Sequence, residues 1–258
     1  MQEKKAAENF HADHRARMQA RVARDGLTSL AAHEVLEYLL FFAIPRKNTN
    51  PIAHRLIQHF GGFCEVLEAS EEQLMEVEGI GPSSARLLHS FREVARFYQI
   101  QKQRENPVQL NSTENCFEYA RPLFTDPRRE EFYMIALNDN LMPLKDIKIA
   151  DGVPNRVQFD FNKLIRDAIL SGCSCVLLAH NHPSGVDNAS PADIAATNAI
   201  VRTLGQVGID VIDHVILTPQ SGYSLAEHGR IPTYNPRTDS LLCSDRAPRE
   251  PDTQKNTK

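Results

Sequence analysis

The sequence has no long apolar run and no strong net charge. No hydrophobic stretch approaches the roughly 20 residues that a membrane-spanning helix needs, and the opening segment MQEKKAAENF has no apolar stretch after its lysines. We therefore expect no membrane contact, no secretory signal and a cytoplasmic protein. The formal net charge of -4 excludes a strong overall field that would draw the chain to nucleic acid or to anionic lipid.

Cysteine is scarce, and its spacing is irregular. The five cysteines are an odd number and are scattered except for Cys173 and Cys175, which argues against a disulfide framework and for a reducing compartment. A thiolate pair can bind zinc, but no second pair is present to complete a tetrahedral site. We interpret both residues as packing groups of a buried strand, CSCVLLAH, because free cysteine behaves there as a small hydrophobe.

The 258 residues, 41% of them hydrophobic, fit one or two globular domains. Residues 1–26 form a polar arm, which we interpret as a solvated surface helix rather than a contact for nucleic acid or a partner. Residues 27–104 show helical periodicity, and the polar residues 105–115 are predicted to be a linker. Residues 116–232 mix strand and helix patterns. The polar tail, 233–258, is expected to be disordered.

The most informative segment is AHNHPSGVDNASPADIAAT. His180 and His182 stand one residue apart at the end of a predicted strand, so both imidazoles lie on one face of it. Pro183 stops the strand, Ser190 opens the next helix, and Asp193 lies in the first turn of that helix. Two imidazole nitrogens and one carboxylate oxygen are the ligand count of a catalytic zinc site with an open fourth position.

Each part of this pattern also has a simpler interpretation. Ser190 with Asp193 is a helix-capping arrangement, and His-x-His alone can be a pair of surface histidines. Asp187 could reach a metal from the loop, although a solvated turn carboxylate is favoured. His214, in the strand IDHVIL, is interpreted as a core histidine rather than a fifth ligand. The combined spacing favours the metal site, and a cap is compatible with it because capping would hold Asp193 rigidly.

The spacing H-x-H-P-x6-S-x-x-D resembles the signature of the JAMM (JAB, MPN-plus) metalloproteases, and its positions are His180, His182, Pro183, Ser190 and Asp193. The HNHPSG segment, the DHVIL strand and the preceding helical Gly-Ile-Gly domain are similar to those of bacterial RadC-like proteins. This resemblance covers about residues 27–231. It implies an α/β fold with a mixed, mainly antiparallel sheet flanked by helices, preceded by an all-α helix-hairpin-helix domain.

The resemblance also implies an activity. Members of the JAMM group are zinc-dependent peptidases or isopeptidases that use a glutamate from an early strand. Glu131, which opens EFYMIAL, matches that glutamate, and Glu130 is the alternative by a one-residue slip, although alternation would turn it the other way. One Zn²⁺ per chain would be held by three ligands, His180, His182 and Asp193.

The implied mechanism is hydrolysis by water that the metal activates. The cation would lower the pKa of its bound water from about 15.7 toward 7. Glu131 would take the proton from this water and pass it to the leaving amine. Ser190 would donate a hydrogen bond to the oxyanion of the tetrahedral intermediate.

The segment VEGIGPSSARLL looks like a helix-hairpin-helix turn. Gly79 and Gly81 allow close backbone approach, and amides at the following helix start can point at a phosphate of DNA. Residues 27–104, however, contain eight basic and nine acidic residues, and Glu76 and Glu78 flank the turn. We therefore favour protein docking or a scaffold role for this domain over DNA binding.

The sequence thus predicts zinc-dependent hydrolysis of an amide or isopeptide bond in a peptide or protein substrate. The first alternative is a DNA-associated accessory protein of genome maintenance that uses the helix-hairpin-helix domain. The second is a nuclease, which is disfavoured because one His-His-Asp site lacks the carboxylate cluster of two-metal phosphoryl chemistry.

Overall fold

The computed structural model describes residues 2–45, 47–126, 128–151 and 160–242. The chain divides into two compact units, Met1–Tyr98 and Gln99–Lys258. The division falls inside a long helix, a few residues before the domain end that the sequence predicts at residue 104. No helix in the described ranges is long and apolar enough to cross a membrane.

The first unit is helical. Its helices are α1 (Gln2–Asp25), α2 (Ala32–Ala43), α3 (Asn50–Phe60), α4 (Phe63–Glu68), α5 (Glu71–Met75) and the first part of α6 (Pro82–Glu105). Its core consists largely of leucines at helical spacing, and the fully buried ones are Leu36, Leu40, Leu56, Leu74 and Leu88. Ser70 caps α5, as the sequence predicts, because its side chain accepts a hydrogen bond from the amide of Gln73.

Helix α1 is more than a solvated arm. Met18 is buried, and Arg15 donates a hydrogen bond of 2.8 Å to the carbonyl oxygen of Ile44. The side chain of His14 lies 2.9 Å from the buried carboxylate of Glu37 on α2. These contacts fasten the second half of α1 to the helical unit.

The second unit contains the mixed sheet. Its elements are α7 (Thr113–Ala120), β1 (Glu131–Leu137), β2 (Pro143–Asp151), α8 (Phe161–Ser171), β3 (Cys175–Asn181), α9 (Pro191–Gly205), β4 (Asp210–Leu217) and β5 (Gly222–Ser224). The strand order is β2-β1-β3-β4-β5. β3 and β4 are parallel and joined through α9, whereas the other neighbours are antiparallel. The predicted fold class is confirmed.

Strands β1 and β3 are buried along their whole length. Each has a hydrogen-bonded strand on both sides, and apolar side chains cover both faces of the sheet. One face packs with α7, and the other packs with α8 and α9. The carboxyl end of β3 therefore brings its side chains into a protected position at the start of α9.

The polar tail begins with structure that the sequence did not predict. Thr233–Asn235 (β6) and Ser240–Leu242 (β7) pair as a short antiparallel hairpin. Tyr234 and Leu241 pack against the core on the α9 side of the sheet, which gives an otherwise polar segment an apolar anchor. The expectation of disorder is thus wrong for this hairpin, and the rest of the predicted tail, 243–258, lies outside the described residues.

Candidate metal centre

The end of β3 and the start of α9 build the candidate site. His180 is the penultimate residue of β3, and His182 follows the strand, where its N–H donates to the carbonyl oxygen of Leu217 at 2.8 Å. Gly185, with φ +80°, helps to turn the chain after Pro183. Ser190 then caps helix α9, and Asp193 lies in the first turn of that helix. The three predicted ligands are thus brought together, and all are buried.

The spacing of the donor atoms fits one small cation. Nε2 of His180 lies 2.8 Å from Nε2 of His182 and 3.4 Å from Oδ1 of Asp193. Nε2 of His182 lies 3.5 Å from Oδ2 of Asp193. Ligand bonds of about 2.0–2.1 Å in a tetrahedron would separate the donors by about 3.3 Å. In the described part of the chain, His180, His182 and Asp193 form the one group of three such residues that could hold a metal ion.

Helix capping holds the carboxylate ligand in place. The amide of Ser190 donates to Oδ2 of Asp193 at 2.8 Å, and the amide of Asp193 donates to Oγ of Ser190 at 3.2 Å. This reciprocal capping box satisfies two N–H groups of the helix start. The cap and the metal group therefore coexist, and the hydrogen atom of the Ser190 hydroxyl remains available for donation.

Each candidate histidine ligand is oriented through its other ring nitrogen. Nδ1 of His182 lies 2.6 Å from the carbonyl oxygen of Val186, and Nδ1 of His180 lies 2.8 Å from Nε2 of His214. In both residues this leaves Nε2 for the shared centre. Such contacts to the second nitrogen are typical of metal-binding histidines.

His214 is a fully buried histidine, as predicted, but it also touches a candidate ligand. Its own Nδ1 lies 2.6 Å from the hydroxyl of Thr197 on α9. Sequence reasoning missed this contact and did not consider Thr197. The register of β4 against β3 would have been needed, because parallel pairing puts His214 beside Leu178, and therefore on the face of the sheet that carries His180.

Burial and neighbouring charges shift the pKa values of the three candidate ligands in different directions. Burial lowers the pKa of His180 to about 4, although the charge of Asp193 opposes this shift. The hydrogen bond with Asp193 raises the pKa of His182 against the effect of burial. Burial would raise the pKa of Asp193, but its contacts with His182, His180 and Ser190 outweigh that effect and lower it. The group therefore presents a neutral imidazole and a carboxylate at neutral pH.

Glu131 does not join this group. Its buried carboxylate accepts hydrogen bonds from the amide and hydroxyl of Thr125 and pairs with the ammonium group of Lys148. In register, Phe132 pairs with His180, so the preceding residue projects to the opposite face of the sheet. The structure thus corrects the expectation that Glu131 faces the metal group: Glu131 projects to the side of the sheet that packs with α7.

Glu130 is the glutamate that interacts electrostatically with two of the candidate ligands, His182 and Asp193. It is half-buried, and burial raises its pKa, while the charge of His182 lowers it and that of Asp193 raises it. The side chain of Asn181 bonds to the backbone before and after Glu130. Its Oδ1 accepts from the amide of Glu131 at 2.7 Å, and its Nδ2 donates to the carbonyl oxygen of Arg129 at 2.9 Å. Asn181 thereby ties the backbone on both sides of Glu130 to the end of β3.

The remaining candidates stay outside the group. Asp187 is exposed and accepts a hydrogen bond of 2.8 Å from the hydroxyl of Ser221. Cys175 is buried, and burial raises the pKa of its thiol to about 11. Cys173 is half-buried against the carbonyl oxygen of Ala168. These positions agree with the turn-carboxylate and packing interpretations.

The two glycines of the Gly-Ile-Gly turn differ. Gly79 has a φ of +97°, and an added Cβ would lie 2.9 Å from Cδ1 of Ile52, so packing within the unit explains this glycine. At Gly81 an added Cβ would meet no atom within 4 Å. The amide of Gly81 donates to the hydroxyl of Ser84 at 2.9 Å. Gly81 is therefore sterically open to an approaching molecule, while its own amide is already bonded to Ser84.

Comparison with protein-family models finds two matches. Residues 110–230 match the RadC-like JAB domain, and residues 65–91 match the helix-hairpin-helix motif. The first match contains β1 to β5 with the whole His-His-Asp group, and the second contains the Gly-Ile-Gly turn. The JAB domain family includes hydrolases. The chain therefore carries a RadC-like JAB domain preceded by a helix-hairpin-helix motif.

Proposed function

We propose that the JAB domain of this protein is a zinc-dependent hydrolase of amide or isopeptide bonds. The observation that carries the proposal is the convergence of the donor atoms of His180, His182 and Asp193 in a buried group. The charges of two of these residues, His182 and Asp193, act on Glu130. Imidazole and carboxylate donors suit zinc, and three protein ligands leave a fourth position open. A zinc ion bound there supplies a Lewis acid that acidifies water and polarises a carbonyl group.

The residues around the group have distinct roles in this proposal. Glu130 accepts a proton from the attacking water and delivers it to the leaving amine as the carbon–nitrogen bond breaks. Its raised pKa suits the first step, because a carboxylate that binds a proton more tightly takes it from water more readily. The hydroxyl of Ser190 donates a hydrogen bond to the carbonyl oxygen as negative charge develops there.

The experiment compares zinc-loaded protein with its variants on two probes, a peptide library and a lysine ε-linked isopeptide. The wild type should cleave members of at least one probe, a chelator should stop cleavage, and added zinc should restore it. Glu130→Gln should bind zinc and cleave about 10²- to 10⁴-fold more slowly, whereas Glu131→Gln, if folded, should retain cleavage. Cleavage by Glu130→Gln at the wild-type rate, or no cleavage by the zinc-loaded wild type, would contradict the proposal.

A second proposed function is contact with DNA through the helix-hairpin-helix motif. The open position at Gly81 favours it, since backbone phosphate can approach there. Binding of duplex and branched DNA should weaken as salt rises. Gly81→Val, which blocks the approach, should reduce the affinity, and Glu78→Gln should increase it by removing a repulsive charge. Absence of binding at low salt would remove this function and favour protein docking.

A further inference from the structure

A chain of hydrogen bonds connects the backbone of Asp193 to the imidazole of His180. The hydroxyl of Thr197 donates to the carbonyl oxygen of Asp193 at 2.6 Å and lies 2.6 Å from Nδ1 of His214. Nε2 of His214 lies 2.8 Å from Nδ1 of His180. The chain therefore joins α9, β4 and β3, and it includes two residues, Thr197 and His214, that have no part in the mechanism above.

The chemistry of the groups fixes the direction of every bond in this chain. A carbonyl oxygen only accepts, so the single hydroxyl proton of Thr197 is committed to Asp193. The hydroxyl oxygen must then accept from Nδ1–H of His214. A fully buried imidazole favours its neutral form, so Nε2 of His214 carries a lone pair. That lone pair accepts from Nδ1–H of His180, which leaves Nε2 of His180 without a proton.

The second histidine reaches the same state by a simpler route. Nδ1–H of His182 donates to the carbonyl oxygen of Val186, which leaves Nε2 of a neutral His182 with a lone pair as well. The two Nε2 atoms are only 2.8 Å apart, so two lone pairs face each other. A proton or a metal ion must lie between them.

We propose that Thr197 and His214 form a positioning relay that selects the metal-binding tautomer of His180. The relay rests on the proposed metal centre, but it makes a separate claim about the protein before any metal binds. It holds Nε2 of His180 deprotonated and aimed at the shared centre, and it anchors the strand of His180 to the helix turn of Asp193. Hydrogen-bond partners of this kind typically contribute about 10- to 100-fold to metal affinity.

Two variants of matched shape and one rescue variant test the relay. His214→Phe keeps a ring in the core and removes both nitrogens, and Thr197→Val removes only the hydroxyl. His214→Gln keeps an acceptor for His180. The control is Thr49→Val, which removes another buried hydroxyl, one that donates to the carbonyl oxygen of Glu37 in the helical unit.

The first readout is zinc affinity, measured by competition with a chelator. His214→Phe should lower the affinity about 10- to 100-fold, Thr197→Val should lower it less, and His214→Gln should lie closer to the wild type. Thr49→Val should leave it unchanged. Affinities within threefold of the wild type in both folded relay variants would overturn the relay. If His214→Phe does not fold, Thr197→Val decides.

The second readout is the tautomer of His180 in the metal-free protein, observed through the ring nitrogens by nuclear magnetic resonance. The wild type should carry the proton on Nδ1, and His214→Phe should shift it toward Nε2. A wild-type protein protonated on Nε2 of His180 would overturn the relay even if it bound no zinc. If the zinc affinities and the His180 tautomer follow the predictions but the wild type cleaves no probe, only the hydrolase proposal is overturned.

Discussion

The rings of Phe132 and His180 stack across β1 and β3, with centroids 5.5 Å apart and an interplanar angle of 5°. The two residues are also direct partners in the antiparallel register. This pairing fixes the face of every neighbouring residue. Glu131 is thereby directed to the face of the sheet that packs with α7, where it pairs with Lys148. Glu130 interacts instead with the charges of His182 and Asp193.

Glu130→Gln should abolish catalysis and preserve the fold. The amide has the shape of the carboxylate but cannot accept and return a proton, so hydrolysis should fall by about 10²- to 10⁴-fold. Zinc content should stay at the wild-type level because Glu130 is not among the proposed ligands. Cleavage rates and metal analysis of the same preparation check both statements, and a variant that loses zinc together with activity would assign Glu130 a different role.

Glu131→Gln should act mainly on stability. The substitution breaks the pair with Lys148 and places an amide where Thr125 donates two hydrogen bonds. The free energy of unfolding should fall by about 2 kcal/mol, because buried hydrogen bonds and an ion pair are lost. The loss stays below that of a fully buried ion pair, since Lys148 is partly exposed to solvent. Urea denaturation measures the change. The exposed Glu118→Gln is the control, and an equal loss in both variants would show that the buried pair is not stabilising.

Ser190→Ala separates capping from catalysis. Ser190 and Ser112 both accept a hydrogen bond from the third amide of their helices, so each alanine variant should lose about 1 kcal/mol of stability. Only Ser190→Ala should lose hydrolysis as well, by about 10²- to 10³-fold, because it removes the donor to the oxyanion. Equal activity in the two variants would limit Ser190 to a cap.

Gly79→Ala and Gly81→Ala should differ in the helical unit. Gly79 has a left-handed φ of +97° and lies against Ile52, so the alanine should lower the free energy of unfolding by about 2 kcal/mol. Gly81 has open space around it, and its alanine variant should lie within about 0.5 kcal/mol of the wild type. Thermal or urea unfolding tests the pair, and a larger loss at Gly81 would contradict the described turn.

Local pattern predicted the elements from β1 to β5 and the grouping of His180, His182 and Asp193, but it missed α7 and the β6–β7 hairpin. Strand alternation placed His180 and His182 together, and the Pro-x6-Ser spacing located the capped helix that carries Asp193. The choice between Glu130 and Glu131 needed the register of β1 against β3, which a single sequence does not specify. Contacts between distant segments could not be predicted from local pattern either. The Thr197–His214 pair joins α9 to β4, which are separate in the sequence. The packing of Tyr234 on the α9 side of the sheet could not be deduced from a polar tail.

Metal analysis of the purified protein tests the central claim most directly. The wild type should contain one zinc ion per chain, and His182→Ala and Asp193→Asn should each lose it, because removing either donor leaves two ligands. Asp187→Asn, a carboxylate change in the same loop, should retain the metal, since Asp187 hydrogen-bonds to Ser221. Zinc that persists in the first two variants, or its absence from a wild type exposed to excess zinc, would contradict the account.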